Sequence, residues 1–298
     1  MREAVVVSTA RTPIGKAFRG ALNNVKSPTL MGHVLADAVA RAGVAGVEIE
    51  DVVVGSALTA GTAGMNLGRL AALRAFGDGV CGQTVDRQCA SGLMSIAIAA
   101  KQIMVDGMQI VAAGGQENIS ALNMPFADWA MREKDSELIR LVQNAYMPML
   151  ETAEFVAKKY GITREQQDQY ALSSQKRTAA AQDAGRFDAE ISLIRATSVV
   201  VDKQTNETIY REILLARDEG NRSDTTLEGL AVLKPVLDQG VITAGNASQL
   251  SDGASVVVLM DANQAERRGL RPLGIYRGIS VAGVPPEEMG IGPRLCCA

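Results

Sequence analysis

Cys89 is the residue of this sequence whose type and position are best suited to chemistry. It lies in the stretch from Thr84 to Ile103, where a predicted strand ends and a predicted helix begins. The positive end of a helix dipole favours the thiolate form of a cysteine placed at its first turn, and the thiolate is the nucleophile. The helix is apolar around nearly its whole circumference, which is typical of a helix buried on all sides. The pattern favours a nucleophilic cysteine, with a small structural cysteine that fills a gap in the core as the alternative.

The only histidine of the sequence is His33. It falls in a predicted helix over residues 29–43, on the outer face with Asp37 and Arg41, at helical spacing. We therefore expect a surface residue near Asp37 and not a general base for Cys89.

The composition is that of a soluble globular protein. Of the 298 residues, 47% are hydrophobic and 21% are charged, and the formal net charge is −3. No basic stripe stands out, so we expect no nucleic-acid partner. We find no run that approaches the roughly 18 apolar residues of a membrane span, so we expect no membrane partner. Four cysteines without the spacing of a disulfide framework indicate a reducing compartment, and we expect a cytoplasmic protein.

The order of the predicted elements indicates an α/β fold. Strands are predicted at 4–8, 51–57, 80–87, 109–115 and 254–260, and helices separate them. This alternation predicts right-handed βαβ units and a mostly parallel five-stranded sheet. Residues 118–243 have a different pattern, with helices at 152–160 and 163–184 and a pair of strands at 191–201 and 207–215. We interpret them as an insertion into the sheet.

Several stretches together resemble the thiolase family, whose enzymes make or cleave β-ketoacyl thioesters of coenzyme A. In the order of the family, the stretches are Ser8–Lys16, Asp86–Gly92, Ala113–Ser120, Gly185–Phe187, Arg222–Pro235, Thr243–Ala254 and Met289–Pro293. The resemblance implies the layered thiolase fold with a core half-domain of residues 1–117 and 244–271. It implies an α+β loop domain over residues 118–243 that covers coenzyme A, and a truncated second half-domain that starts at 272–298.

The resemblance also implies the site residues. Cys89 is the nucleophile that takes the acyl group from the thioester. Met149 lines the acyl and pantetheine channel, Arg222 lies near the nucleotide end of coenzyme A, and Ser248 lies near the pantetheine amides. Ordinary alternatives are a core methionine, a solvated loop arginine and a polar turn serine. Coenzyme A and acyl-CoA are substrates, so the resemblance implies neither a cofactor nor a metal.

The sequence departs from the family after residue 293. The Asn-Glu-Ala-Phe, Gly-His-Pro and Cys-x-Gly motifs of the second half-domain do not occur, and Cys296 and Cys297 do not match them. We expect a truncated or frame-shifted chain that lacks the acid–base and oxyanion groups of those motifs. The resemblance implies a thiolase-type acyltransferase, for thiolytic cleavage or Claisen condensation, and leaves the activity of this chain open. The alternative is a catalytically silent coenzyme A binding module or scaffold fragment.

The resemblance implies a homodimer or homotetramer for the full-length form. The Cys89 helix would lose the cover of a second half-domain in a truncated chain. Because exposed apolar patches promote association, we expect this chain alone to associate or to be poorly soluble.

Overall fold

The computed structural model of the protein describes residues 2–122, 132–202 and 204–297. Residues 123–131, which include Trp129 and belong to the predicted loop domain, lie outside the described residues. The strands are β1 (Ala4–Arg11), β2 (Gly15–Lys16), β3 (Asp51–Gly55), β4 (Gln83–Val85), β5 (Ile110–Asn118), β6 (Ile194–Val201), β7 (Thr208–Leu215), β8 (Ser251–Asp261) and β9 (Gly274–Ile275). The α-helices are α1 (Ser27–Arg41), α2 (Leu67–Phe76), α3 (Ser91–Lys101), α4 (Ser136–Leu141), α5 (Met149–Tyr160), α6 (Arg164–Asp183), α7 (Leu227–Ala231), α8 (Ala262–Arg267) and α9 (Gly292–Cys296).

The chain falls into two compact units. Unit 1 consists of Met1–Asn123, Phe187–Gly220 and Leu250–Gly278, and unit 2 consists of Met124–Arg186, Asn221–Gln249 and Ile279–Ala298. Residues 187–220, which carry the β6–β7 hairpin, belong to unit 1, whereas the predicted loop domain of residues 118–243 includes them. The predicted domain bounds stay a prediction.

Unit 1 is built on a seven-stranded sheet in the order β4-β3-β5-β8-β1-β9, with β2 paired to β8. Strand β3 runs parallel to β4 and β5. Strand β8 is antiparallel to both of its long neighbours, β5 and β1. Of the five strands of this sheet with more than two residues, β1, β3, β4 and β5 share one direction and β8 runs the other way. This confirms the α/β fold with a mostly parallel sheet. The two-residue strand β2 is an addition to the predicted strands, and the two-residue strand β9 lies where residues 273–279 predict the start of a further strand.

The sheet of unit 1 carries helices on both faces. One core packs α1 and α2 against the sheet through Leu30, Val34 and their neighbours, together with Val52 and Val258. The other packs the inner side of α3 against Val53, Val111 and Ala113, through Ala99, Ala100 and Ile103. Because strand side chains alternate between the faces, the apolar runs of β3, β5 and β8 supply both cores.

Within the part of the chain that the structure describes, helix α3 is covered on one side only. Ala97, Ala99 and Ala100 are buried, whereas Leu93 is 65% exposed. A π-helical turn, Gln102–Asp106, extends the helix. The whole segment Gln88–Asp106 is long and apolar enough to cross a membrane, by length and composition alone. One such helix is weak evidence for a membrane span, and here the buried alanines pack on strands β3 and β5.

Unit 2 is mainly helical among its described residues. Helix α6 begins at a capping box, in which the Thr163 hydroxyl accepts the Gln166 backbone N–H and the Gln166 side chain accepts the Thr163 backbone N–H. Helix α5 ends at Gly161, which has a positive φ of 64°. A 3₁₀ turn, Pro286–Ile291, packs on α5.

Glu154 of α5 accepts the backbone N–H groups of Val241 and Ile242, and Asp168 of α6 accepts the Asn246 side chain. Both helices therefore hold the loop of residues 241–249, which lies between α7 and β8 in the chain.

Candidate active site

Cys89 lies at the apex of a tight turn between β4 and α3, and it is exposed. The preceding residue, Gln88, has a positive φ of 48°. Its backbone N–H donates to the Asp86 carboxylate at 2.7 Å. The residue before the helix is Ala90, which offers no side-chain oxygen to the first turn. The helix therefore begins beside the thiol with N–H groups that lack intrahelical partners.

Two glycines allow the start of α3 to approach the sheet. A Cβ at Gly55, the last residue of β3, would lie 2.2 Å from the carbonyl carbon of Ser91. A Cβ at Gly115, in β5, would lie 3.0 Å from the Cα of Gly92. Larger residues would push the helix and its cysteine away from the strand ends.

Cys89 borders a cavity of about 470 Å³ within unit 1. The walls come from the ends of β3, β5 and β8 and from the first turns of α3. They include Ala57, Leu93 and Ile96 as apolar surfaces and Arg11 and Glu117 as charged residues. The thiol thus faces a mostly apolar space with two ionisable groups on its rim.

Glu117 and Arg11 fix the walls of this cavity. The Glu117 carboxylate accepts the backbone N–H groups of Ala57 and Leu58 at 2.9 and 3.1 Å and so holds the loop after β3. Arg11 binds the Asp218 carboxylate through both terminal nitrogens, at 2.7 and 3.1 Å. Burial lowers the pKa of Arg11, but hydrogen bonds and charges from Asp218 and Glu190 outweigh it and hold the pKa above its ordinary value. Arg11 is therefore a structural cation engaged in ion pairs.

His33 lies on α1, which packs on the opposite face of the sheet from α3. Its Nε2 is 2.9 Å from the Ser192 hydroxyl. Asp37, the expected neighbour, pairs instead with Arg41 at 2.8 Å. The structure agrees that His33 is not a partner of Cys89.

In unit 2, two of the predicted binding residues border one cavity. Arg222 and Ser248 line a polar space of about 470 Å³ together with Thr225, Thr226 and Gln249. Both predicted residues are exposed. The backbone N–H of Arg222 donates to Gln175 at 2.8 Å, which fixes the main chain and leaves the guanidinium at the surface. Asp224 adds one negative charge to the same rim.

A buried polar network supports this cavity. Asp168 is 2% exposed, and its carboxylate binds Arg164 at 2.7 Å and the Asn246 side chain at 3.0 Å. Asn246 in turn accepts the Thr243 N–H at 2.7 Å. Arg164 also donates to the carbonyl oxygens of Leu230 and Leu233. The loop with Ser248 and the segment after α7 are therefore tied to one end of α6.

Met149 lies at the start of α5 and borders a different, apolar cavity of unit 2, of about 350 Å³. Val156, Ile242 and Met289 line the same space. Met289 belongs to the 3₁₀ turn that Glu288 fastens to α5. The Glu288 carboxylate accepts hydrogen bonds from Lys159 and from the Tyr160 hydroxyl. Those bonds, first of all the one from Lys159, lower the pKa of Glu288.

Comparison with known proteins decides the family. The family model "Thiolase, N-terminal domain" matches residues 4–263. The chain is 40% identical to a 3-ketoacyl-CoA thiolase of Bacillus subtilis, over 98% of this chain and 74% of that protein. The chain belongs to the thiolase family. An acetyl-CoA acetyltransferase of Cupriavidus necator is also 40% identical, over 98% of this thiolase chain and 75% of the relative.

A solved structure supports the same assignment for the fold. The acetyl-CoA acetyltransferase of Bacillus anthracis superposes on the whole of this thiolase chain with a TM-score of 0.83 and 38% identity. The match covers 75% of that protein. A peroxisomal 3-ketoacyl-CoA thiolase of the mouse is 40% identical over 98% of this chain and 67% of the relative.

The residues that hold the site in place are not among those predicted from the sequence. Asp168 and Arg164 are one helical turn apart, a readable signal for an ion pair, but their bonds to residues 230–246 have no local signal. Glu117 lies inside a thiolase motif, yet nothing in the sequence shows that it caps the loop after β3. Among the residues that the structure describes, no group of three or more His, Cys, Asp or Glu side chains is placed to hold a metal ion.

Proposed function

We propose that this thiolase-family chain acts as an acyl-CoA acyltransferase through a Cys89 acyl-enzyme. The observation that carries the proposal is the position of Cys89, exposed at the start of α3 and open to a largely apolar cavity. The Cys89 thiolate attacks the thioester carbonyl, the bond to the coenzyme A sulfur breaks, and coenzyme A leaves as a thiolate that takes a proton from solvent. Backbone N–H groups at the start of a helix are suitable donors for a developing oxyanion, and α3 begins beside the thiol.

The acyl-enzyme serves thiolytic cleavage or Claisen condensation of β-ketoacyl-CoA. In cleavage, the Cys89 thiolate attacks the β-keto carbonyl instead, the bond between the α and β carbons breaks, and acetyl-CoA leaves as an enolate that takes a proton from solvent. Free coenzyme A then takes the remaining acyl group from Cys89. In condensation, a second acyl-CoA loses an α proton to solvent, and its carbanion takes the acyl group that Cys89 received from the thioester, which releases the Cys89 thiolate. The names of the relatives, 3-ketoacyl-CoA thiolase and acetyl-CoA acetyltransferase, support both directions. The chemistry needs no cofactor and no metal beyond its coenzyme A substrates.

We further propose that coenzyme A is held by unit 2. The exposed Arg222 guanidinium suits the phosphates or adenine of the nucleotide, and Ser248, on the same cavity, suits the pantetheine amides. Met149, beside Val156 and Met289, provides apolar surface for the acyl and pantetheine chain. Asp224 on the rim disfavours a phosphate at its own end of the cavity.

Acetyl transfer to the protein tests the proposal. The chain is incubated with acetyl-CoA, and peptide-resolved mass spectrometry locates the acetyl group. We expect acetylation of Cys89 and its loss in C89A. The matched control is C81A, because Cys81 is also an exposed free cysteine. Acetylation that persists in C89A, or that C81A removes, would refute the assignment.

The second candidate function is coenzyme A binding without acyl transfer. The cavity of unit 2 with Arg222 and Ser248 favours it, because these groups serve binding alone. Calorimetric titration with coenzyme A separates the two candidates. Saturable binding that R222A weakens, without any acetylation of Cys89, would favour the binding module.

We propose a cytoplasmic location and a homodimer or homotetramer for the full-length form. Cys81, Cys89, Cys296 and Cys297 are free thiols, which suits a reducing compartment. The uncovered side of α3, with Leu93 exposed, offers apolar surface for association. Sedimentation equilibrium at several concentrations measures the assembly, and fractionation of the source cells measures the compartment.

A further inference from the structure

Ser91, the first residue of α3, makes two hydrogen bonds to the turn that carries Cys89. Its hydroxyl accepts the backbone N–H of Arg87 at 2.8 Å and donates to the carbonyl oxygen of Gln88 at 2.5 Å. The backbone N–H of Ser91 donates to the same carbonyl at 3.0 Å. Ser91 is only 3% exposed, so no water replaces these bonds readily.

The bonds act on a residue in an unfavourable conformation. Gln88 has a φ of 48°, a region that residues other than glycine rarely occupy. Such a conformation persists only where surrounding bonds over-determine it. Asp86 holds the N–H of Gln88, and Ser91 holds its carbonyl. The Ser91 hydroxyl is thus the side-chain group that fixes the second half of the turn.

The conformation of Gln88 sets the direction of the next side chain, which is Cys89. Ser91 is itself anchored, because its main chain lies against Gly55 at the end of β3. The hydroxyl therefore ties the apex of the turn to α3, whose position on the sheet is fixed.

We propose that Ser91 is a positioning residue for Cys89, whose hydroxyl holds Gln88 in the left-handed conformation and so directs the thiol toward the cavity of unit 1. This inference rests on the proposed function, in which Cys89 is the nucleophile. A misplacement of about 1 Å costs an enzyme up to about a hundredfold in rate, so a loosened turn is expected to have a measurable effect.

Ser95 provides a matched control in the same helix. It is fully buried, and its single O–H lies between two acceptors, the carbonyl oxygens of Gly92 and Gly114, at 2.7 and 2.6 Å. S95A therefore removes a buried, hydrogen-bonded hydroxyl, as S91A does, but without touching the turn. A loss of stability alone would affect both variants alike.

The experiment compares the full chain with S91A, S95A and S91T. For each chain, thermal unfolding is recorded, and the rate of iodoacetamide alkylation of Cys89 is measured by peptide-resolved mass spectrometry, with Cys81 as the reference within each sample. Acetylation by acetyl-CoA is measured in the same way. We expect S91A to slow both reactions of Cys89 by about tenfold or more. We expect both rates in S95A to stay within about twofold of the parent. We expect S91T to react at rates close to those of the parent, because threonine keeps the hydroxyl.

Unchanged rates in S91A, or an equal loss in S95A, would overturn the inference. If S91A does not fold, S91T provides the test. A tenfold loss of either Cys89 rate in S91T, at an unchanged unfolding temperature, would contradict the positioning role of Ser91. Alkylation requires no coenzyme A. A parent chain that is alkylated but never acetylated at Cys89 therefore counts against the proposed function, while the alkylation ratios still decide the role of Ser91.

Discussion

Replacement of Asp168 by asparagine tests the buried network that supports the proposed coenzyme A cavity. The aspartate binds Arg164 through one oxygen, at 2.7 Å, and Asn246 through the other, at 3.0 Å. An asparagine keeps the shape but has one acceptor oxygen. Its NH₂ group must then face a donor of Arg164 or of Asn246, and the charge opposite Arg164 is lost.

The expected cost follows from these contacts. Removing one partner of a buried ion pair costs about 3–5 kcal/mol, and losing a hydrogen bond to a charged group costs about 1.5–3 kcal/mol. The Arg164 side chain is 23% exposed and keeps its bonds to Leu230 and Leu233, so water and carbonyl oxygens offset part of the loss. We therefore expect D168N to lower the free energy of unfolding by about 2–3 kcal/mol. At about 2–4 °C per kcal/mol, the unfolding temperature falls by about 4–12 °C.

The same substitution is expected to weaken coenzyme A binding. Asn246 anchors the loop that carries Ser248, and a less ordered loop must be ordered again by the ligand. A cost of about 1.4 kcal/mol corresponds to a tenfold rise in Kd. Thermal unfolding by circular dichroism and calorimetric titration with coenzyme A measure both effects. The control is D238N, the same chemical change at an exposed position of unit 2. The reasoning would be refuted if the unfolding temperature of D168N stayed within about 2 °C of the parent and its Kd for coenzyme A within about twofold.

Further predictions concern the start of α3, the 3₁₀ turn and the uncovered helix face. G55A should abolish cooperative unfolding or Cys89 alkylation, because its Cβ meets the start of α3 at 2.2 Å, while G79A, which meets nothing within 4 Å, should not. Glu288 should stabilise the folded state fully at a pH above its ordinary pKa, and this stabilisation should be lost as the pH falls through its lowered pKa. The difference in unfolding temperature between parent and E288Q should therefore be largest near pH 7 and shrink below about pH 4, and a pH-independent difference would contradict it. The chain alone should associate through the uncovered side of α3, and L93S should shift sedimentation toward monomer. A monodisperse parent monomer that melts cooperatively would contradict that last expectation.

The elements with a strong local pattern could be predicted from the sequence. The apolar face of residues 29–43 predicts α1, which runs from Ser27 to Arg41, and the helix predicted at 163–184 corresponds to α6. The sheet order could not be predicted in this way. Strand β8 comes late in the chain, yet it inserts between β5 and β1 and runs antiparallel to both. Such long-range pairing leaves no local signal. The predicted strand at 273–279 is only Gly274–Ile275.

For the candidate site too, features with a local signal could be predicted from the sequence and long-range contacts could not. The position of Cys89 between strand and helix is readable from the apolar helix that follows it. The expected roles of Arg222 and Ser248 come from the resemblance to the family, and only the structure shows that both border one cavity of unit 2. The bond between Asp168 and Asn246 joins residues 78 positions apart, so no spacing rule reveals it. Ser91 had a readable signal, a hydroxyl at a helix start, but its bonds to the turn depend on the backbone of Gln88.

The most direct test of the central claim is the passage of an acetyl group through Cys89 to free coenzyme A. The chain is first acetylated with acetyl-CoA, freed of small molecules, and then mixed with isotopically labelled coenzyme A. The account predicts that Cys89 loses its acetyl group as labelled acetyl-CoA forms, in equal amounts, and that C89A yields none. Labelled acetyl-CoA formed by C89A, or a Cys89 acetyl group that labelled coenzyme A does not remove, would contradict it.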